Sequence, residues 1–128
     1  MIVNLVVSVF RGPDHNNLGN LLAIKGRIAD AIVRYEEAVR LKPGLAEAHF
    51  SWANVLAQSG KLGEAIVHYQ EAVRLKADFA AAHSNLGVAF FNKGDIEKAI
   101  EQFRQALKID PTYADAQKNL VKLTELRK

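Results

Sequence analysis

The stretch EEAVRLK (36–42) returns 34 residues later as QEAVRLK (70–76), and 34 residues after that as RQALKID (104–110). A fixed period of that length marks a stacked array of supersecondary units. Boundaries at 12–45, 46–79 and 80–113 bring the other columns into line. Ala31, Ala65 and Ala99 coincide, as do Ala38, Ala72 and Ala106, the aromatics Tyr35, Tyr69 and Phe103, and the glycines Gly26, Gly60 and Gly94. Pro43 and Pro111 match, with Ala77 between them.

Each column has a physical reason. A glycine between two helical stretches accepts the positive φ that ends a helix. Two alanines seven residues apart share one helix face and let a neighbouring helix approach closely, while the aromatic between them fills the space beside that contact. Proline cannot continue a helix, so Pro43 and Pro111 close their repeats. The first helix of each repeat carries a second apolar stripe: Leu18, Leu21 and Leu22; Trp52, Val55 and Leu56; Leu86, Ala89 and Phe90. This spacing is helical and not the alternation of a strand.

The pattern resembles the tetratricopeptide repeat, whose signature runs W-x2-L-G-x2-Y, then A-x3-F, then A and P. The first repeat reads His15, Leu18, Gly19, Leu22, Ala31, Tyr35, Ala38, Pro43; the second His49, Trp52, Ala53, Leu56, Ala65, Tyr69, Ala72, Ala77; the third His83, Leu86, Gly87, Phe90, Ala99, Phe103, Ala106, Pro111. Histidine stands for the leading tryptophan throughout, Ala53 for glycine and Ala77 for proline. Residues 114–128 start a fourth copy and stop, which predicts a capping helix with Lys118, Lys122, Glu125, Arg127 and Lys128 outward. The expectation is an all-α, right-handed solenoid of three helix–turn–helix repeats over 12–113 plus that cap, preceded by an apolar segment at 1–11.

Composition bounds what such a chain does. At 128 residues, 49% apolar and 24% charged, it is a single folded domain and not a disordered tract. It has no cysteine, which removes disulfides and thiolate metal sites and fits a reducing, cytoplasmic setting. The net charge is +3 and the signs alternate along the chain, so no basic stripe for nucleic acid stands out. Arg40, Lys42, Arg74, Lys76 and Lys108 fall at predicted helix ends, where cations cap free carbonyls and complement the dipole. The opening MIVNLVVSVF lacks the flanks of a signal peptide, and it is half the ~20 residues of a membrane span. Ile2, Leu5, Val6, Val9 and Phe10 are expected to bury against an end of the solenoid, a groove, or a neighbouring copy.

Catalytic and metal motifs are missing. There is no G-x-S-x-G elbow, phosphate loop or H-E-x-x-H, and Asp95, Glu97, Glu36 and Glu37 read as helix-start or solvated charge. His15, His49 and His83 recur one per repeat, roughly 10 Å apart. Ligands of one zinc ion must lie ~2 Å from it, so these histidines read as packing between helices. No enzyme activity, cofactor or metal is expected.

The resemblance implies a concave surface lined by the second, fifth, ninth, twelfth and thirteenth residues of each repeat. Those are Asn16, Asn20, Ala23 and Ile24; Glu47, Phe50, Asn54, Ala57 and Gln58; and Ala81, Ser84, Val88, Phe91 and Asn92. Asparagine amides can meet both the N–H and the C=O of an extended peptide, which suits Asn20 and Asn54 to backbone recognition. Relatives that hold chaperone tails use a carboxylate clamp of lysines, an arginine and asparagines. Here Asn16, Ala81 and Asn85 stand where its cations should be, so the clamp fails. The resulting expectation is a scaffold that binds a peptide or helix of another protein, without nucleic-acid binding or membrane insertion. The alternative is self-assembly through the apolar N-terminal segment.

Overall fold

The computed structural model describes residues 10–128, which form seven helices and no strand. They are α1 (Gly12–Ile24), α2 (Ile28–Leu41), α3 (Ala46–Gln58), α4 (Leu62–Leu75), α5 (Ala80–Asn92), α6 (Ile96–Ile109) and α7 (Ala114–Arg127). Each repeat is an antiparallel pair, α1–α2, α3–α4 and α5–α6, and α7 packs on α6. The molecule is an all-α, right-handed helical-repeat solenoid. Of the N-terminal apolar segment, Ile2, Leu5, Val6 and Val9 lie outside the described residues. Phe10 is half-buried and meets His15 edge-on at 5.5 Å.

The column logic operates in three dimensions. Ala31, Ala65, Ala99, Ala38, Ala72 and Ala106 are all fully buried, and Tyr35, Tyr69 and Phe103 nearly so. Inner helices pass very close to those rings: a Cβ added at Gly19 or Gly87 would lie 2.7 Å from Tyr35 or Phe103. Within each repeat the chain reverses at Gly26, Gly60 and Gly94, with φ of 81°, 80° and 94°. At each reversal an N–H reaches back five residues, as in Arg27 to the Leu22 carbonyl at 2.9 Å, which satisfies an otherwise free helix-end acceptor.

Proline is not what ends the second helices. Lys42, before Pro43, and Lys76, before Ala77, adopt almost the same extended backbone, φ −140° and −137°. The turn that follows is the same too: Leu45 N–H donates to Lys42 O at 3.1 Å, and Phe79 N–H to Lys76 O at 3.2 Å. The helix-end arginines also differ from expectation. Arg40 and Arg74 turn back onto Glu37 and Glu71 of their own helices instead of capping carbonyls, because a carboxylate one turn away is the stronger partner. The cap is less polar outside than expected: Ala116 and Leu123 are buried, but Val121 and Leu126 are more than half exposed.

Candidate functional site

Two clefts open on the face of the inner helices. The first, about 410 Å³, lies between α1 and α3 and is lined by Asn20, Ala23, Ile24, Phe50, Asn54 and Gln58, with Tyr35 also in its wall. The second, about 290 Å³, lies between α5 and α7, with Val88, Phe91, Asn92 and Phe103 on one side and Asn119, Lys122, Leu123 and Leu126 on the other. The interval between α3 and α5 is occupied differently. There Phe50 packs on Phe79 at 4.7 Å and on Tyr69 at 6.1 Å, and Asn85 Nδ2 donates to Asn54 Oδ1 at 2.9 Å.

The asparagines of the first cleft carry a structural load. Tyr35 donates its hydroxyl to Asn20 Oδ1 at 2.8 Å, and Tyr69 donates to Asn54 Oδ1. Burial pushes both tyrosines up to about 12, so each hydroxyl keeps the proton it donates. The carboxamide oxygens are therefore engaged from inside, and the amide nitrogens are what remains to offer a ligand. In the third repeat the pair is apolar, since Val88 and Phe103 stand where Asn20 and Tyr35 stand in the first.

Not every residue expected on this face is accessible. Asn16 is 7% exposed and Ser84 2%, so neither can touch a ligand. They share the fifth position of the repeat with Phe50, whose ring packs on Phe79 and Tyr69 of its own repeat and also lines the first cleft, so this position is covered to different degrees in the three repeats. Glu47 is exposed but outside both clefts, 3.6 Å from Lys76. Conversely, Asn119, Lys122 and Leu126 line the second cleft without having been anticipated. Extending the period past residue 113 finds them, 34 residues after Asn85, Val88 and Asn92.

The repeating histidines bond within their own helix pairs. His15 Nδ1 lies 3.4 Å from Arg34, His49 Nδ1 3.2 Å from His68 Nδ1, and His83 Nδ1 2.8 Å from Gln102 Oε1. Trp52 stacks on His68 at 3.9 Å. Burial is the main cause that lowers His15, His49 and His68 below the ordinary value of 6.5. Nearby charge adds to it, from Arg34 at His15 and from His49 at His68. Among the described residues no three histidine or acidic side chains converge to hold a metal ion, and no helix is long and apolar enough to cross a membrane.

Known proteins share this helical-repeat fold. A family profile described as TPR repeat matches residues 19–60 and 53–94, and one described as tetratricopeptide repeat matches 80–113. Among solved structures, the first TPR of Spaghetti (RPAP3), bound to the HSP90 peptide SRMEEVD, superposes with a TM-score of 0.87 at 22% identity, over 91% of this chain and 92% of that one. MamA does so with 0.85 at 25% identity, over 91% and 68%. YrrB, described as a TPR protein with an unusual peptide-binding site, gives 0.79 at 28% identity, over 90% of this chain and 59% of that one. The chain thus spans about three fifths of YrrB. No curated protein matches the sequence.

Proposed function

The chain belongs to the tetratricopeptide repeat family, and from that membership we propose that it is a protein-interaction scaffold whose inner-helix face holds a segment of a partner protein. One observation carries this reading. The cleft between α1 and α3 is open, uncharged and walled by Asn20, Ile24, Phe50, Asn54 and Gln58, a mixture of apolar contact and amide donors suited to an extended chain. The Spaghetti domain takes an HSP90 peptide, SRMEEVD. That peptide is acidic, and no lysine or arginine lines this first cleft, so a different ligand is proposed here. The chemistry asks for backbone recognition without a carboxylate clamp.

A test must leave the core intact. Phe50 and Asn54 are poor choices, because Phe50 packs on Phe79 and Asn54 holds the Tyr69 hydroxyl. Ile24 is 83% exposed and Gln58 lies at the rim, so Ile24→Glu with Gln58→Ala changes the cleft and little else. Partners captured by the tagged parent and identified by mass spectrometry should be lost by this variant, with the helical circular dichroism unchanged. Full retention of those partners would overturn the reading.

A second reading, self-assembly, is favoured by the first repeat's outer side. A crevice of about 330 Å³, lined by Leu18, Leu22 and Val33 together with Arg27, Asp30 and Arg34, is open there. Its third-repeat equivalent, about 320 Å³ beside Leu86 and Phe90, has Gln70 and Val73 of the preceding repeat as one wall, a wall the first-repeat crevice lacks among the described residues. A second copy, through its residues 1–11, is the occupant this reading assigns to the crevice. Light scattering on the parent and on a chain lacking residues 1–11 tests it: a dimer lost on deletion supports assembly, and a monomer in both cases removes it.

A further inference from the structure

The second cleft differs from the first in what its polar groups have left to bond. Asn119 follows Asn85 by one repeat period. Asn85 donates to the Asn54 carboxamide, whereas Asn119 shares its cleft with Val88, which has no hydrogen-bonding atom. The Asn119 amide therefore keeps both its N–H donors and its carbonyl acceptor, the complement of one residue of extended backbone. Lys122 is the one charged side chain lining the cleft, with no carboxylate opposite it. Val88, Phe91 and Leu126 expose 39%, 40% and 64% of their surface around these groups, an apolar pocket that association would remove from water.

We propose that the α5–α7 cleft captures an extended segment of a partner protein in which an apolar side chain neighbours an acidic one. The apolar group enters between Val88, Phe91 and Leu126, the adjoining backbone pairs with the Asn119 carboxamide, and the carboxylate meets the Lys122 ammonium. The unpaired lysine is what calls for the acid. The chain's own MIVNLVVSVF contains no acidic residue and so does not supply this ligand. The inference rests on the inner face being a binding surface, yet it concerns the opposite end from Ile24 and Gln58, so the two readings fail separately.

The probe is a fluorescein-labelled, C-terminally amidated peptide GSLDLSG, followed by fluorescence polarisation against GSLNLSG and GSADASG. The parent should bind GSLDLSG up to about fivefold more tightly than GSLNLSG, the range of an exposed charge pair, and GSADASG more weakly still. Lys122→Gln should erase the preference for the acid, and Val88→Asn, which gives Asn119 an internal partner, should weaken GSLDLSG. Circular dichroism melts confirm that both variants fold. Ile24→Glu with Gln58→Ala should leave GSLDLSG binding as in the parent. Equal affinity of the parent for GSLDLSG and GSLNLSG, an undiminished preference in Lys122→Gln, or no binding at millimolar peptide would each overturn the proposal. So would a dimer of the unliganded protein that Val88→Asn dissociates, since the cleft would then belong to a second copy.

Discussion

The α1–α3 cleft and the α5–α7 cleft stand at equivalent places in one repeating scaffold, yet they present opposite surfaces. At the N-terminal end a tyrosine hydroxyl reaches up from the core and takes the oxygen of Asn20, which leaves a polar wall with donors facing out. At the C-terminal end Phe103 has no hydroxyl, Val88 has no amide, and Asn119 and Lys122 sit unpaired over an apolar floor. The backbone frame is common to both, so the difference lies in a coupled exchange fifteen residues apart, Asn with Tyr or Val with Phe. Burying a hydroxyl requires an acceptor, and removing the hydroxyl frees that position to become apolar.

If the frame is truly common, damage to it should be independent of which end is struck. Ala38→Leu and Ala106→Leu each force a larger side chain into a fully buried helix contact and should cost up to about 3 kcal/mol, read from urea melts. A parent-like stability for one of them would mean that the two ends are not built alike. The polar exchange gives the next largest effect. Asn20→Val strands the buried Tyr35 hydroxyl and should cost about 1–2 kcal/mol, while adding Tyr35→Phe should recover most of the loss. Additive losses in that double-mutant cycle would break the claim that the two positions exchange as a unit.

Acid should separate the second repeat from the third. The His49–His68 contact needs one ring nitrogen to donate and the other to accept, so full protonation of both rings abolishes it. Both groups are held below their ordinary value of 6.5, chiefly by burial, with Glu64 and Glu71 acting the other way. The unfolded chain therefore binds more protons than the folded one. This contribution to stability is complete above the ordinary value and is lost as pH falls below it. Hydrogen exchange at pH 7 and pH 5 should show α3 and α4 loosening in acid. His68→Gln, which copies the His83–Gln102 arrangement of the third repeat, should reduce the effect. The smallest change is expected at the exposed ion pairs, where Arg40→Ala and Arg74→Ala should leave the urea midpoint indistinguishable from the parent's.

The frame was legible in the sequence because each repeated column answers one local demand: a close helix contact at alanine, a reversal at glycine, a filled gap at the aromatic. The site was less legible. Asn20 and Asn54 could be placed on the inner face by register, but the register does not reveal that their oxygens are spent on tyrosines. The spacing of Asn20 from Tyr35 and of Asn54 from Tyr69, lost together at Val88 and Phe103, is the signal that would have shown it. Asn16 and Ser84 are buried although they share the fifth position of the repeat with the half-buried Phe50, so register alone does not tell how far a side chain there is covered. Asn119 and Lys122 were hidden by treating 114–128 as a lid, although its helix continues the inner-face register.

Partner segments, on the proposal made above, are read on the inner face, with an apolar and acidic specificity at the C-terminal cleft. Two-dimensional amide NMR of the labelled chain during titration with GSLDLSG tests this most directly. Shifts are predicted at Val88, Phe91, Asn92, Asn119 and Lys122, with Val33 and Val67 on the outer helices unmoved. Shifts centred on α2 and α4, or none anywhere at saturating peptide, would contradict it.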